Sequence, residues 1–134
     1  KILQFAFDSG PDNPYLPFRH SRDAVVYTGT HDNDTTRGWY ESLPEEARRS
    51  VAEYLGLPGE DMPWPLVRTA LGSRANLAIL PMQDVLGLGG DHRMNTPGTA
   101  QGNWVWRFTW EQVTPELPAR LTRLVQLYGR APAR

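Results

Sequence analysis

The stretch Ala24-Val25-Val26-Tyr27-Thr28-Gly29-Thr30-His31-Asp32-Asn33-Asp34-Thr35-Thr36 decides how this chain is read. It begins as a short β-branched, apolar run and then breaks into a burst of polar side chains, which is how a strand signals its own end. A strand that stops this way delivers an imidazole, His31, and a carboxylate, Asp32, to the rim of a sheet, where α/β folds keep their chemistry.

Two other apolar runs, Ile2 to Phe7 and Leu77 to Met82, share the character of Val25 to Thr28. None alternates with polar residues, so all three are expected to be strands buried on both faces, as in a parallel sheet, with Pro81 marking a strand end. Between the second and third, Ser42-Leu43-Pro44-Glu45 has the spacing of a capping box. Ala47, Val51 and Leu55 then share a helical face, and Gly56 and Pro58 supply a stop. A second helix is expected from about Pro63 to Gly72, burying Trp64, Val67, Ala70 and Leu71. The last helix should be capped by Thr114, start at Pro115, carry Leu117, Leu121, Leu124, Val125 and Tyr128 toward a sheet, and end at Gly129. Pro11, Pro14 and Pro17 make Asp8 to Asp23 an irregular loop, and Thr96-Pro97-Gly98-Thr99 places a type II turn in a second loop from Gly87 to Gly102. The order is that of an α/β fold with parallel strands. Three such strands leave unpaired outer edges, so missing strands, or association with another chain through those edges, are implied.

Composition narrows the partners. The 134 residues suit one domain, and 14 basic against 15 acidic side chains give a net charge of -1, with no field to attract nucleic acid or an anionic membrane. There is no cysteine, which excludes disulfides and thiolate metal sites. No apolar run approaches the roughly 18 residues of a membrane span, and no signal-type segment opens the chain, so a cytoplasmic location is expected. The start at Lys1, without methionine and inside a strand-like run, reads as an excised piece.

Five segments carry a resemblance: Lys1-Ile2-Leu3-Gln4-Phe5-Ala6-Phe7-Asp8, Asn13-Pro14-Tyr15-Leu16-Pro17, Val26 through Trp39, Pro81-Met82-Gln83-Asp84 and Met94-Asn95-Thr96-Pro97-Gly98-Thr99. In order and register they closely resemble the C-terminal part of the amylomaltases, bacterial 4-alpha-glucanotransferases. The resemblance implies that residues 1–134 are the C-terminal portion of a catalytic (β/α)8 barrel, a TIM barrel, holding its last three strands and their helices. It implies an enzyme that moves α-1,4-linked glucan segments between acceptors by a retaining, two-carboxylate scheme without a cofactor. Asp32 stands where the family has its third carboxylate, the transition-state stabiliser, and His31 and Asn95 fall on sugar-binding positions. The family's nucleophile and acid/base motifs, Arg-x-Asp and Glu-Asp-Leu-Gly, do not occur here, so the isolated chain is expected to be inert. Its partners would be maltooligosaccharides and the N-terminal part of the barrel. Two other readings stand beside this one: a non-catalytic glucan-binding module and a purely structural barrel half.

The residues support these roles chemically. An oxocarbenium-like transition state is helped by hydrogen bonds to sugar hydroxyls that tighten as the ring distorts. Asp32 can accept from two hydroxyls, His31 can donate to one, and an amide such as Asn95, fixed by the Pro97-Gly98 turn, does both. Without the resemblance Asp32 would read as a helix N-cap; with it, the cap is assigned to Asp34. Asp32 and Asp34 cannot readily flank a scissile bond from one segment. A metal is not expected, since only His20 and His92 remain to assist the His-Asp pair. Gly87, Gly89 and Gly90 lack a phosphate-loop pattern and read as flexible loop. Trp104 and Trp106 alternate with Val105 and read as a buried extended segment. Tyr15 and Phe18 in the Pro-rich loop are candidate glucan contacts, although Phe18 departs from the family's usual Pro-His-Asn.

Overall fold

The computed structural model describes residues 1–132. Its centre is strand β1, Val25–Tyr27, paired in parallel with β2, Leu77–Ile79, in the register Val25 to Leu77, Val26 to Ala78 and Tyr27 to Ile79. On the other side of β1, Ile2 makes a single parallel bridge to Tyr27, and the Tyr27 N–H donates to the Lys1 carbonyl at 2.8 Å. Helices α1 (Thr36–Ser42), α2 (Glu45–Tyr54) and α3 (Trp64–Gly72) lie between the strands, and α4 (Met82–Val85) and α5 (Glu116–Leu127) follow β2. All strand pairing is parallel, as expected from the element order.

Three expectations need correction. The first apolar run is not a strand beyond Ile2: Leu3–Phe5 forms a 3-10 turn in which the Ala6 N–H donates to the Leu3 carbonyl. Leu3 and Ala6, three apart, both point inward at 0% and 1% exposure, a spacing that eclipses side chains at three residues per turn. The strands are also not buried on both faces. Val26, on one face, is wholly buried in a core with Leu3, Leu66, Ala70 and Ala75, whereas Leu77 and Ile79 on the other remain 52% and 39% exposed. Leu66 and Ala70 of α3 cover the Val26 face together with Leu3 and the partly buried Trp39 and Leu55, while the other face opens on a cleft. Finally, Ser42 makes no capping box. It belongs to the end of α1, where its hydroxyl donates to the Trp39 carbonyl at 2.7 Å, and α2 starts behind Pro44 with no side-chain cap.

The helical expectations otherwise stand within a residue or two. Val67, Ala70 and Leu71 form the buried stripe of α3, and Val51 is the buried anchor of α2. Helix α5 begins behind Pro115 rather than Thr114, and it packs on α3 through Leu124 against Val67 and Leu71, a cluster that Ala78 of β2 also joins. Polar fasteners reinforce that pair. Glu60, ahead of α3, is gripped by Arg68 of α3 at 2.7 and 2.8 Å and reached by Arg120 of α5 at 3.5 Å, and the Arg120 guanidinium lies 3.7 Å from the centre of the Trp64 ring. Just beyond α5, Arg130 donates to the carbonyls of Leu71, Ser73 and Ala75, satisfying groups left open at the end of α3. The Pro-rich loop is irregular, as expected, and is pinned to the same helix end by buried His20, whose ring nitrogens meet the Tyr15 carbonyl and the Ser73 hydroxyl, each at 2.7 Å.

Candidate active site

The segment leaving β1 is shaped by three anchors before it presents His31 and Asp32. Asp84, at the start of α4 and 1% exposed, accepts from the hydroxyls of Thr28 and Thr36 and from the Thr36 N–H. One carboxylate thus ties both ends of the segment, the strand exit and the first turn of α1. Burial pushes the Asp84 carboxyl above its ordinary value, although all three donors favour the charged form. Gln4 donates from its side chain to the Asp34 carbonyl at 2.9 Å. The Asn33 amide oxygen accepts from both the N–H and the hydroxyl of Thr30 at 2.8 Å, closing the tip.

Asp34 does not cap α1. Thr35 does, its hydroxyl accepting from the Gly38 N–H at 3.1 Å, while Asp34 receives the Thr35 N–H at 2.7 Å. Of the three glycines assigned to a flexible loop, Gly90 has a packing duty instead, while nothing lies within 4 Å of a Cβ built on Gly89. A Cβ on Gly38 would sit 2.6 Å from Asp34 Oδ1 and 2.7 Å from Gly90 Cα, so α1 and the loop after α4 meet with no room for a side chain.

His31 and Asp32 project beyond the end of β1, both about half exposed, with His31 Nε2 3.3 Å from Asp32 Oδ2. Asn95, on the loop after α4, reaches the same point. Its side-chain amide donates to Asp32 Oδ1 at 2.7 Å, and its backbone N–H donates to the His31 carbonyl at 3.1 Å. Arg93 braces the junction by donating to the Asp32 carbonyl at 3.0 Å and the Asn95 carbonyl at 3.2 Å. The turn that holds Asn95 forms as read from its residues: the Thr99 N–H donates to the Thr96 carbonyl and Gly98 takes φ +81°. The three residues singled out in the sequence therefore stand together.

His31 and Asp32 line a cleft of about 590 Å³ together with Tyr27 and Ile79, from the exposed face of the sheet, and with Met94 and Trp104; Asn95 stands behind Asp32 and is not part of the lining. Trp104 corrects the expectation of a buried segment. It is 63% exposed, its ring centre lies 4.9 Å from that of His31, and its φ of +61° breaks the extended alternation. The turn residues Gly102-Asn103 just before it were the available signal. Trp106 is half buried, with its indole N–H on His92 Nδ1 at 3.1 Å. Neither Tyr15 nor Phe18 lines the cleft; Tyr15 packs edge-on against Phe5. Among the described residues no group of three or more His, Asp or Glu converges as metal ligands would, and no helix is long and apolar enough to cross a membrane.

The arrangement is thus an α/β unit with a carboxylate, an imidazole and an amide gathered past a parallel strand end, the place where such folds commonly bind ligands. A family model described as 4-alpha-glucanotransferase matches residues 1–114. The chain is 53% identical to a 4-alpha-glucanotransferase of Synechocystis sp. over 132 residues, covering 97% of this chain and 26% of that protein. It is 47% identical to one from Thermus thermophilus over 139 residues, with 97% and 28% covered. Among solved structures, an amylomaltase from Streptococcus agalactiae in complex with acarbose superposes with a TM-score of 0.93 at 34% identity, over 98% of this chain and 27% of that one. The chain belongs to the 4-alpha-glucanotransferase, or amylomaltase, family. It spans about a quarter of the length of the curated relatives it matches.

Proposed function

We propose that residues 1–134 are the C-terminal portion of a catalytic (β/α)8 barrel and form one wall of the glucan site of a cytoplasmic 4-alpha-glucanotransferase. The whole enzyme transfers α-1,4-glucan segments between acceptors by double displacement with retention. The observation that carries this reading is the meeting of Asp32, His31 and Asn95 at one point beyond β1, from two segments 63 residues apart.

In this reading Asp32 is the transition-state stabiliser. Asn95 occupies one side of Oδ1, leaving the remaining lone pairs of the carboxylate to accept neighbouring hydroxyls of one glucose unit. His31 and the side-chain Oδ1 of Asn95 supply a further donor and acceptor for the same ring. Hydrogen bonds that shorten as the sugar flattens toward an oxocarbenium ion stabilise that state more than the ground state, which is what raises turnover. The uncovered sheet face, with Leu77 and Ile79 exposed, becomes the barrel interior once the remaining strands pair along the sheet edges. The nucleophilic aspartate and the acid/base glutamate lie on those strands, and the isolated chain is inactive.

Incubation with maltotriose tests this. The full-length protein that carries this chain should yield both shorter and longer maltooligosaccharides, and the isolated chain should yield neither. Disproportionation by the isolated chain would overturn the assignment.

A further inference from the structure

Trp104 is an exposed large aromatic that lines the cleft. It contributes nothing to either hydrophobic core, it is 63% exposed, and it is held at φ +61°, a conformation that side chains other than glycine rarely adopt. The neighbouring turn enforces that conformation. Asn103 accepts the Thr96 N–H at 2.8 Å and donates to the Thr99 carbonyl at 3.0 Å, while the Trp104 N–H donates to the Met94 carbonyl at 2.8 Å. The result is an indole laid against the imidazole of His31, ring centres 4.9 Å apart and planes 39° apart.

His31 needs such a neighbour. Its side chain is half exposed, and among the described residues its one polar contact is Asp32 Oδ2 at 3.3 Å. The outer torsion of a histidine is broad and two-fold, so a single long contact does not fix the ring. We infer that Trp104 is a positioning residue for the transfer reaction: its strained backbone presents the indole as a clamp that keeps His31 Nε2 turned toward Asp32 and the sugar. This rests on the reading of His31 as a sugar-binding group given above. Trp104 acts through His31 and does not itself hold the glucan.

The test uses the full-length protein with maltotriose as substrate, and the variants Trp104→Ala, Trp104→Phe, His31→Ala and the double variant His31→Ala/Trp104→Ala. Trp104→Ala is expected to lower kcat by about tenfold to a hundredfold, the scale of an angstrom-sized misplacement. KM should change by less than about threefold. Trp104→Phe, which restores a ring against His31, should recover most of the loss. In the His31→Ala background, Trp104→Ala should cost no further activity, because its only route to the substrate is gone. Equal losses in both backgrounds would mean that Trp104 touches the sugar directly, and would overturn the inference. So would wild-type kcat in Trp104→Ala alongside a crippled His31→Ala, which leaves the site reading intact. A fall in Tm of more than about 10 °C without rescue by Phe would make Trp104 a structural brace and refute it. Full activity in His31→Ala would instead remove the site reading for His31 and this inference with it.

Discussion

The Asn95 side-chain amide donates to Asp32 Oδ1 at 2.7 Å, so the loop after α4 is joined to the segment after β1 at the candidate catalytic carboxylate itself. That bond fixes which lone pairs of Asp32 remain for a ligand. It also makes the arrangement depend on residues well behind it, where the first predictions lie.

Asp84 holds both ends of the His31-Asp32 segment through Thr28 and Thr36. Asp84→Ala strands two hydroxyls and one N–H in a buried place, and is expected to destabilise the protein by about 2–4 kcal/mol, allowing about 1–3 for each unsatisfied group and some local relaxation. Asp84→Asn should cost less, since its carbonyl still receives the Thr36 N–H and the hydroxyls can rotate to accept from its amide. Denaturant unfolding of the full-length protein checks this, and equal stability of the two variants would contradict it.

Gly38 faces Gly90 so closely that a methyl group has nowhere to go, whereas nothing lies within 4 Å of a Cβ built on Gly10. Gly38→Ala should destabilise by about 1–3 kcal/mol through overpacking, despite the better helix propensity of alanine. Gly10→Ala should stay within about 0.5 kcal/mol of wild type. The pair is read by the same unfolding measurement.

How much of this was legible in the chain follows from what each signal reports. Strand β1 and the turn at Pro97-Gly98 are written locally, in β-branched residues and in a Pro-Gly pair, and both stand where expected. The meeting of Asn95 with Asp32 is not local, and periodicity carries no trace of it; the family resemblance brought the two to one site. Leu3 to Phe5 misled because a short apolar run looks the same as a strand or as a tight helical turn until its partners are known. Asp84 carried no motif chemistry of its own, since a carboxylate that serves only threonines leaves no spacing to read. Alternation with Val105 and Trp106 points Trp104 inward, but the turn at Gly102-Asn103 and the φ of +61° at Trp104 itself aim the indole outward instead.

His20 should make stability depend on pH. Burial, the largest influence, holds its pKa below the ordinary 6.5. The unfolded chain therefore binds a proton more readily, and stability rises with pH across that interval. The contribution is fully present above about pH 6.5 and is lost as the pH falls through the lowered value. The neutral ring donates from Nε2 to the Tyr15 carbonyl and accepts from the Ser73 hydroxyl, a pattern that protonation breaks. Between pH 7 and pH 5 the Tm of the wild type should fall more steeply than that of His20→Gln; parallel slopes would contradict this.

The central claim is that Asp32 works on the transition state of glucan transfer, and Asp32→Asn in the full-length protein tests it most directly. With maltotriose, kcat should fall by at least about a hundredfold while substrate affinity changes by less than about tenfold, the pattern of an interaction made chiefly in the transition state. Wild-type kcat in Asp32→Asn, or a loss confined to affinity, would contradict the account.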